Sequence, residues 1–165
     1  MFQIQQLSQG YLQQARKLGD SVFYYEKVSP SVEIGANLNK KNFQKFQIKY
    51  KNAISTESYI ALDDGKVIGI SGLYQVKEDS SEGVFWLGWF CIDPEHQGQG
   101  VGSMLLDYTI EQANKKNAQC IRLYTSTRPE EAKAQFLYEK KGFKVMSRET
   151  KPDGQYEIFY REKTL

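Results

Sequence analysis

The run Gln97-Gly98-Gln99-Gly100-Val101-Gly102-Ser103 is the densest chemical signal in the sequence. It follows an apolar stretch at residues 84–92 and opens a segment, residues 100–116, in which Val101, Met104, Leu105, Tyr108, Ile110 and Ala113 keep amphipathic helical spacing. The first turn of a helix carries N–H groups without intrahelical partners and a partial positive charge. Glycines let that backbone approach a bulky anion and take positive φ where required. A strand–loop–helix of this kind holds a pyrophosphate on main-chain amides and needs no lysine. Read without context, the same glycines also suit a plain tight turn.

Two familiar phosphate loops fit poorly. A P-loop closes with Gly-Lys-Ser/Thr, whereas Gly102 is followed directly by Ser103. The dinucleotide fingerprint wants glycine or alanine where Ser103 stands, in an early βαβ unit, and this run lies past the middle of the chain. Other chemistry is sparse. Cys91 and Cys120 each sit in apolar runs, where a thiol acts as a small hydrophobe. The single histidine, His96, has no ligand-like spacing to them, so no metal site is expected.

The surrounding elements must position that loop. Residues 2–7 alternate as a short strand, and Ser8 is a candidate N-cap for a helix running to about residue 26. A polar helix is predicted over residues 40–51, with Phe43, Phe46 and Tyr50 on one face. Strands at 57–62 and 66–76 flank Asp63-Asp64-Gly65, a hairpin turn. Residues 84–92 read as one strand buried on both faces in mid-sheet, with Gly88 marking a bulge or a close backbone approach. A strand at 121–125, a helix at 129–141 stopped by Gly142, and a strand pair at 143–148 and 156–161 complete a mixed α/β order with an antiparallel component. No repeat or linker divides the chain, so residues 1–165 form a single domain.

Bulk properties exclude several partners. A net charge of +2, without an arginine-rich block, argues against nucleic acid or an anionic membrane. No apolar segment approaches membrane-spanning length. The amino-terminal residues lack a basic region followed by an apolar stretch, so a reduced, cytoplasmic protein is expected.

Two segments together resemble a known family. Gln97-x-x-Gly100-x-Gly102 after Ile92-Asp93-Pro94, and Ala134-Gln135-Phe136-Leu137-Tyr138-Glu139-Lys140-Lys141-Gly142-Phe143 downstream, are similar to the coenzyme A motif and the A-x-x-x-Y-E-K-x-G-F segment of the GNAT N-acetyltransferases. The resemblance implies a central, mostly antiparallel sheet, splayed at the CoA-binding strand and flanked by helices. It implies acetyl-CoA as co-substrate, with the pyrophosphate on the amides of Gln97, Gly98, Gln99, Gly100, Val101, Gly102 and Ser103, and the pantetheine arm along the main chain of Cys91 and Ile92. Tyr138 becomes the general acid for the departing CoA thiolate, because a phenol with a pKa of about 10 stays protonated at neutral pH.

The acceptor implied is a primary amine of a small molecule or peptide. It must be neutral to attack, at a cost of about 4 kcal/mol for a lysine-like amine at neutral pH. The residues do not single out its base: Glu82, Glu33, Asp93 and Glu157 are candidates, each also readable as a solvated charge or cap. Many family members carry Asn near Glu131, a departure that leaves one cofactor contact open, and Lys133 is a candidate for the CoA 3′-phosphate. The acceptor side is expected to draw on Phe23, Tyr24, Tyr25, Phe43, Phe46, Tyr156 and Phe159, and the acyl pocket on Trp86, Trp89 and Phe90. A non-catalytic CoA-binding module, a transferase for larger acyl groups, and a homodimer through the C-terminal strands stay open.

Overall fold

A computed structural model describes all residues, Met1–Leu165. The strands are β1 (Gln3–Gln6), β2 (Ala53–Asp63), β3 (Lys66–Val76), β4 (Val84–Leu87), β5 (Cys91–Ile92), β6 (Cys120–Ser126), β7 (Lys144–Thr150) and β8 (Glu157–Thr164). They form one sheet in the order β1-β2-β3-β4-β6-β8-β7, with β5 attached to β3 alone. Every pairing is antiparallel except β4 with β6. The helices are α1 (Leu12–Val22), α2 (Lys40–Lys49), the single turn α3 (Lys77–Ser80), α4 (Val101–Lys115) and α5 (Ala132–Lys140).

Period-two alternation, shifted in phase by a bulge at Ile68 of β3, sends the side chains of the two long central strands to opposite faces. Tyr59, Ala61, Ile68 and Leu73 pack with Leu105, Leu106 and Ala113 of α4. Ile60, Leu62, Val67 and Ile70 pack with Leu12 and Ala15 of α1. The sheet is therefore covered on both sides, which explains why β2 and β3 are apolar almost throughout. Their connection places Asp64 and Gly65 at φ 45° and 76°, the double positive φ of a tight hairpin turn. α1 runs so close to its neighbours that a Cβ on Gly19 would lie 2.5 Å from Ile34 Cδ1.

Two expectations need correction. The apolar run at 84–92 is not one strand. The Gly88 N–H still donates in register to the Gly72 carbonyl (2.8 Å), but Trp89 and Phe90 then leave the ladder, and Cys91 and Ile92 rejoin β3 one residue out of step, the bulge that Gly88 marks. A Cβ on Gly72 would lie 2.9 Å from the Glu57 carbonyl oxygen, so β2 and β3 need glycine there. Beyond the break, Cys91 and Ile92 pair only with β3. The sheet thus opens between β5 and β6. The first helix also ends earlier than residue 26: Phe23 leaves helical geometry and packs on Trp89, ring centroids 4.6 Å apart. Its entry is a 3-10 turn over Gln9–Tyr11, and Ser8 serves it through its carbonyl rather than its hydroxyl.

Candidate active site

The turn from β5 into α4 is anchored at its start. Asp93 accepts from the Glu95 amide (3.1 Å) and from Lys66 Nζ (3.0 Å), while its own N–H donates to the Ile68 carbonyl (2.8 Å). Lys66 and the Glu95 amide hold the Asp93 carboxyl below its usual range against the opposing effect of burial. Past this anchor, Gly98 and Gly100 take φ of 78° and 85°, and a Cβ on either would meet nothing within 4 Å. From Gly98 through Ser103 no main-chain amide donates within the protein; the first to do so is Met104, to the Gly100 carbonyl (3.1 Å). The result is a strip of unpaired N–H groups at the positive end of a helix, facing open space, as an anion site requires.

That strip borders a cleft of about 300 Å³ in the splay of the sheet. Cys91, Ile92, Gln97, Gly98, Gly100, Gly102 and Ser103 line one side, and Glu131, Lys133, Ala134 and Leu137 the other. Among the loop residues, Gln99 and Val101 do not turn their side chains into it. Gln99 bonds back to the Glu95 carbonyl (3.0 Å) and Val101 is a core residue, so only their amides belong to the strip. Lys133 Nζ reaches across to Gln97 Oε1 (2.8 Å), which brings a cation from α5 to the rim of the loop. Burial pushes the Cys91 thiol up to about 12, so at neutral pH it is a neutral core group and not a nucleophile.

A second cleft of about 320 Å³ meets the first, and Phe23, Phe90, Glu131 and Ala134 line both. Tyr138 lines this second cleft, next to the junction. Its ring is buried, 5.9 Å from Phe90 and 5.8 Å from Phe143 between centroids, and no protein group hydrogen-bonds its hydroxyl. Burial holds the phenol well above its usual range. The Glu131 carboxylate acts in the same direction and Arg161 against it. The turn of α5 carrying Tyr138 is fixed by Arg161, which is only 2% exposed. Its Nη2 donates to Gln135 Oε1 and Glu139 Oε1 (both 2.9 Å), and Gln135 Nε2 donates onward to the Ser126 carbonyl (2.7 Å).

Glu131 is the carboxylate at the junction. Its Oε2 accepts from Thr125 Oγ1 (2.5 Å) and the Ser126 amide (2.7 Å), and its Oε1 from Ser126 Oγ (2.7 Å). These bonds tie the start of α5 to the end of β6. None of the four carboxylates named as bases from sequence lines either cleft. Glu82 is exposed in a turn, Asp93 anchors the loop, and Glu157 starts β8. Glu33 is buried beneath the second cleft, where it pairs with Lys49 and accepts from Tyr50 Oη and Trp89 Nε1 (2.7 Å each). His96 is partly buried between Asp93 and Asp63, away from both clefts.

The aromatic residues divide. Phe23, Tyr156, Trp89 and Phe90 line the second cleft and Tyr25 the first, joined by Tyr50, Tyr74 and Tyr124. Tyr24 is exposed, Phe46 is core behind Tyr50 and Tyr74, Phe43 packs beside it, and Phe159 carries the Arg148 guanidinium. Trp86 donates to Asp79 Oδ2 (2.8 Å) and faces elsewhere. Sequence reasoning missed the bonds of Glu131 and the buried Arg161. The Thr125-Ser126 pair ahead of Glu131 was the visible signal for the first, while the second had none.

Comparison with known proteins places this geometry. Residues 23–143 match the model of the acetyltransferase (GNAT) family. A Desulfovibrio desulfuricans structure assigned to GNAT acetyltransferases superposes with a TM-score of 0.78 at 14% identity, covering 99% of both chains. The ribosomal-protein-S18-alanine N-acetyltransferase of Escherichia coli superposes at 0.71 with 19% identity, over 99% of this chain and 94% of that one. An aminoglycoside 6′-N-acetyltransferase complexed with coenzyme A gives 0.71 at 14% identity, over 98% and 96%. No curated protein sequence matches. No helix is long and apolar enough to cross a membrane. With the family model spanning the loop, both clefts' shared wall and Tyr138, the chain belongs to the GNAT acetyltransferase family.

Proposed function

We propose that the protein transfers the acetyl group of acetyl-CoA to a primary amine by direct attack in a ternary complex. The observation that carries this is the meeting of two clefts at Phe90, Glu131 and Ala134, with Tyr138 lining the second and its ring 5.9 Å from that of Phe90. In this reading the first cleft takes acetyl-CoA. Its diphosphate sits on the amides from Gly98 to Ser103, the Gln97 amide being turned to the Pro94 carbonyl (3.4 Å), and its arm runs along the free edge of Cys91 and Ile92, which pair on one side only. Charged oxygens on several converging N–H donors form stronger bonds than neutral acceptors would. Lys133 adds a cation at the rim.

The second cleft takes the amine. Its nitrogen attacks the thioester carbonyl carbon, the C–S bond breaks, and the nitrogen loses a proton that the thiolate ultimately gains. Glu131 is the carboxylate nearest that exchange: each of its oxygens accepts from the end of β6, and Oε1, with one bond, retains a free lone pair. Tyr138 acts as a hydrogen-bond donor to the sulfur. A phenol held above its usual range is a poorer acid than a thiol, so its role is to stabilise the developing thiolate rather than to surrender the proton outright. Calorimetry with acetyl-CoA, followed by thiol release across an amine panel, tests the reading. Failure to bind at tens of micromolar would sink it, and binding without any amine-dependent turnover would favour a sensing module instead.

A further inference from the structure

The second cleft is walled by cations as well as rings. Lys49, Arg128 and Lys151 line it against Glu26 and Glu131. It continues outward into a space of about 310 Å³ over Trp89, Arg128 and Tyr156, where Lys27 adds a further positive charge. These cations are not equivalent. Lys49 is paired with Glu33, and Lys151 with Glu149 at 3.0 Å. The Arg128 guanidinium forms no ion pair. It stacks 4.2 Å from the centroid of the Tyr156 ring, with the Tyr25 ring at 5.4 Å. The guanidinium lies over these rings with the Tyr156 hydroxyl close by and no carboxylate paired to it, so its fork of N–H donors retains capacity for a carboxylate or phosphate. Glu26 is exposed nearby and acts on the guanidinium from a distance, with Glu131, without forming an ion pair.

Taking the acyl-transfer reading as its basis, we infer that the acceptor amine carries an acid group on the same molecule, held by Arg128 while the nitrogen lies between Glu131 and Tyr138. Arg128 and Glu131 are neighbours in the backbone, and both line the second cleft. They bracket one 3-10 turn, with the Glu131 N–H donating to the Arg128 carbonyl at 3.0 Å. Such spacing suits a short amino acid or an acidic residue next to a free peptide amino terminus. The same wall gives polycationic amines no acid to offer Arg128, the one cation of the cleft without an ion-pair partner.

The test uses matched pairs, with affinity measured on the CoA-saturated protein and turnover measured separately with acetyl-CoA as donor. Phenylalanine is compared with phenethylamine, and an Asp-containing peptide with its Asn isostere, with spermidine as the polycation. Affinity is read by NMR titration and turnover by thiol release. The acid-bearing member of at least one pair is expected to win by about tenfold or more, the scale of one charge-assisted bond. The winning pair tells a small acid from an acidic peptide. Arg128→Gln is expected to remove the preference by weakening the acid-bearing member alone, and Arg128→Lys to restore part of it. A purely structural role for Arg128 would lower both members together. Equal affinity within both pairs, or spermidine binding most tightly, overturns the inference while leaving acyl transfer intact. Absence of CoA binding removes both.

Discussion

Replacing Tyr138 by Phe separates packing from chemistry at one atom. The ring fills core space between Phe90 and Phe143 and the substitution keeps it. The hydroxyl makes no hydrogen bond to the protein, so its removal strands no buried partner, and stability should stay within about 0.5 kcal/mol. Turnover should respond differently. One hydrogen bond to a charged acceptor contributes about 1.5–3 kcal/mol, which at 1.4 kcal/mol per decade is about ten- to a hundredfold in kcat. Because the bond forms only as the C–S bond breaks, acetyl-CoA affinity should be unchanged. The assay is thiol release at saturating amine, with calorimetry for the cofactor and thermal unfolding for the fold. A kcat within twofold of the parent would refute the role given to the hydroxyl. A fall in Tm of many degrees would show that the environment of Tyr138 has been misread.

Gly100→Ala forces a φ of 85° on a residue with a Cβ, a strain of about 1–2 kcal/mol, and points that Cβ into the open space over the loop. It should lower Tm by several degrees and weaken acetyl-CoA by about tenfold or more, and undiminished binding in calorimetry would contradict the loop's assignment. The pH profile of kcat/KM should climb as the amine loses its proton. It should then show no descending limb near pH 10, because a raised phenol pKa means that Tyr138 keeps its proton beyond the point where an ordinary tyrosine loses it. A falling limb there that vanishes in Tyr138→Phe would reverse that assignment. Neither cysteine should react with a thiol reagent in the folded protein at pH 8, since both are buried and the Cys91 thiol is pushed up to about 12, whereas denaturant should release both. Rapid labelling of the native chain would show the wall of the first cleft to be open.

Local periodicity made the loop, α4, α5 and the β2–β3 hairpin legible, because each depends on residues near in sequence. The break between β4 and β5 does not. It depends on Trp89 and Phe90 leaving the ladder with β3, and the apolar run through them hides it, because those two side chains serve the clefts rather than a strand's two faces. Arg161 was illegible for a similar reason: a charged residue in a strand reads as exposed, and only the return of α5 over β8 supplies Gln135 and Glu139 as acceptors. Asn39 was legible in principle. It caps α2 by accepting from the amides of Lys41 and Asn42, and Asn before a helical segment is a recognised start signal.

The two clefts differ in what makes them, and this decides how far kinship can carry function. The first is built largely from main chain: free amides from Gly98 to Ser103, the one-sided edge of β5, and glycines at positive φ. Such a site needs a backbone path and a few glycines, so it tolerates extensive change of side chains around it. The second is built from side chains, among them Tyr50, Trp89, Tyr124, Arg128 and Tyr156, whose types set its chemistry. Glu131 lines both clefts and sits on the boundary between them. A glutamate there ties α5 to β6 through bonds that an asparagine, lacking a second acceptor oxygen, could make only in part. Kinship therefore speaks to the acyl donor, and the identity of the amine must be read from the charges and rings of this chain's own second cleft.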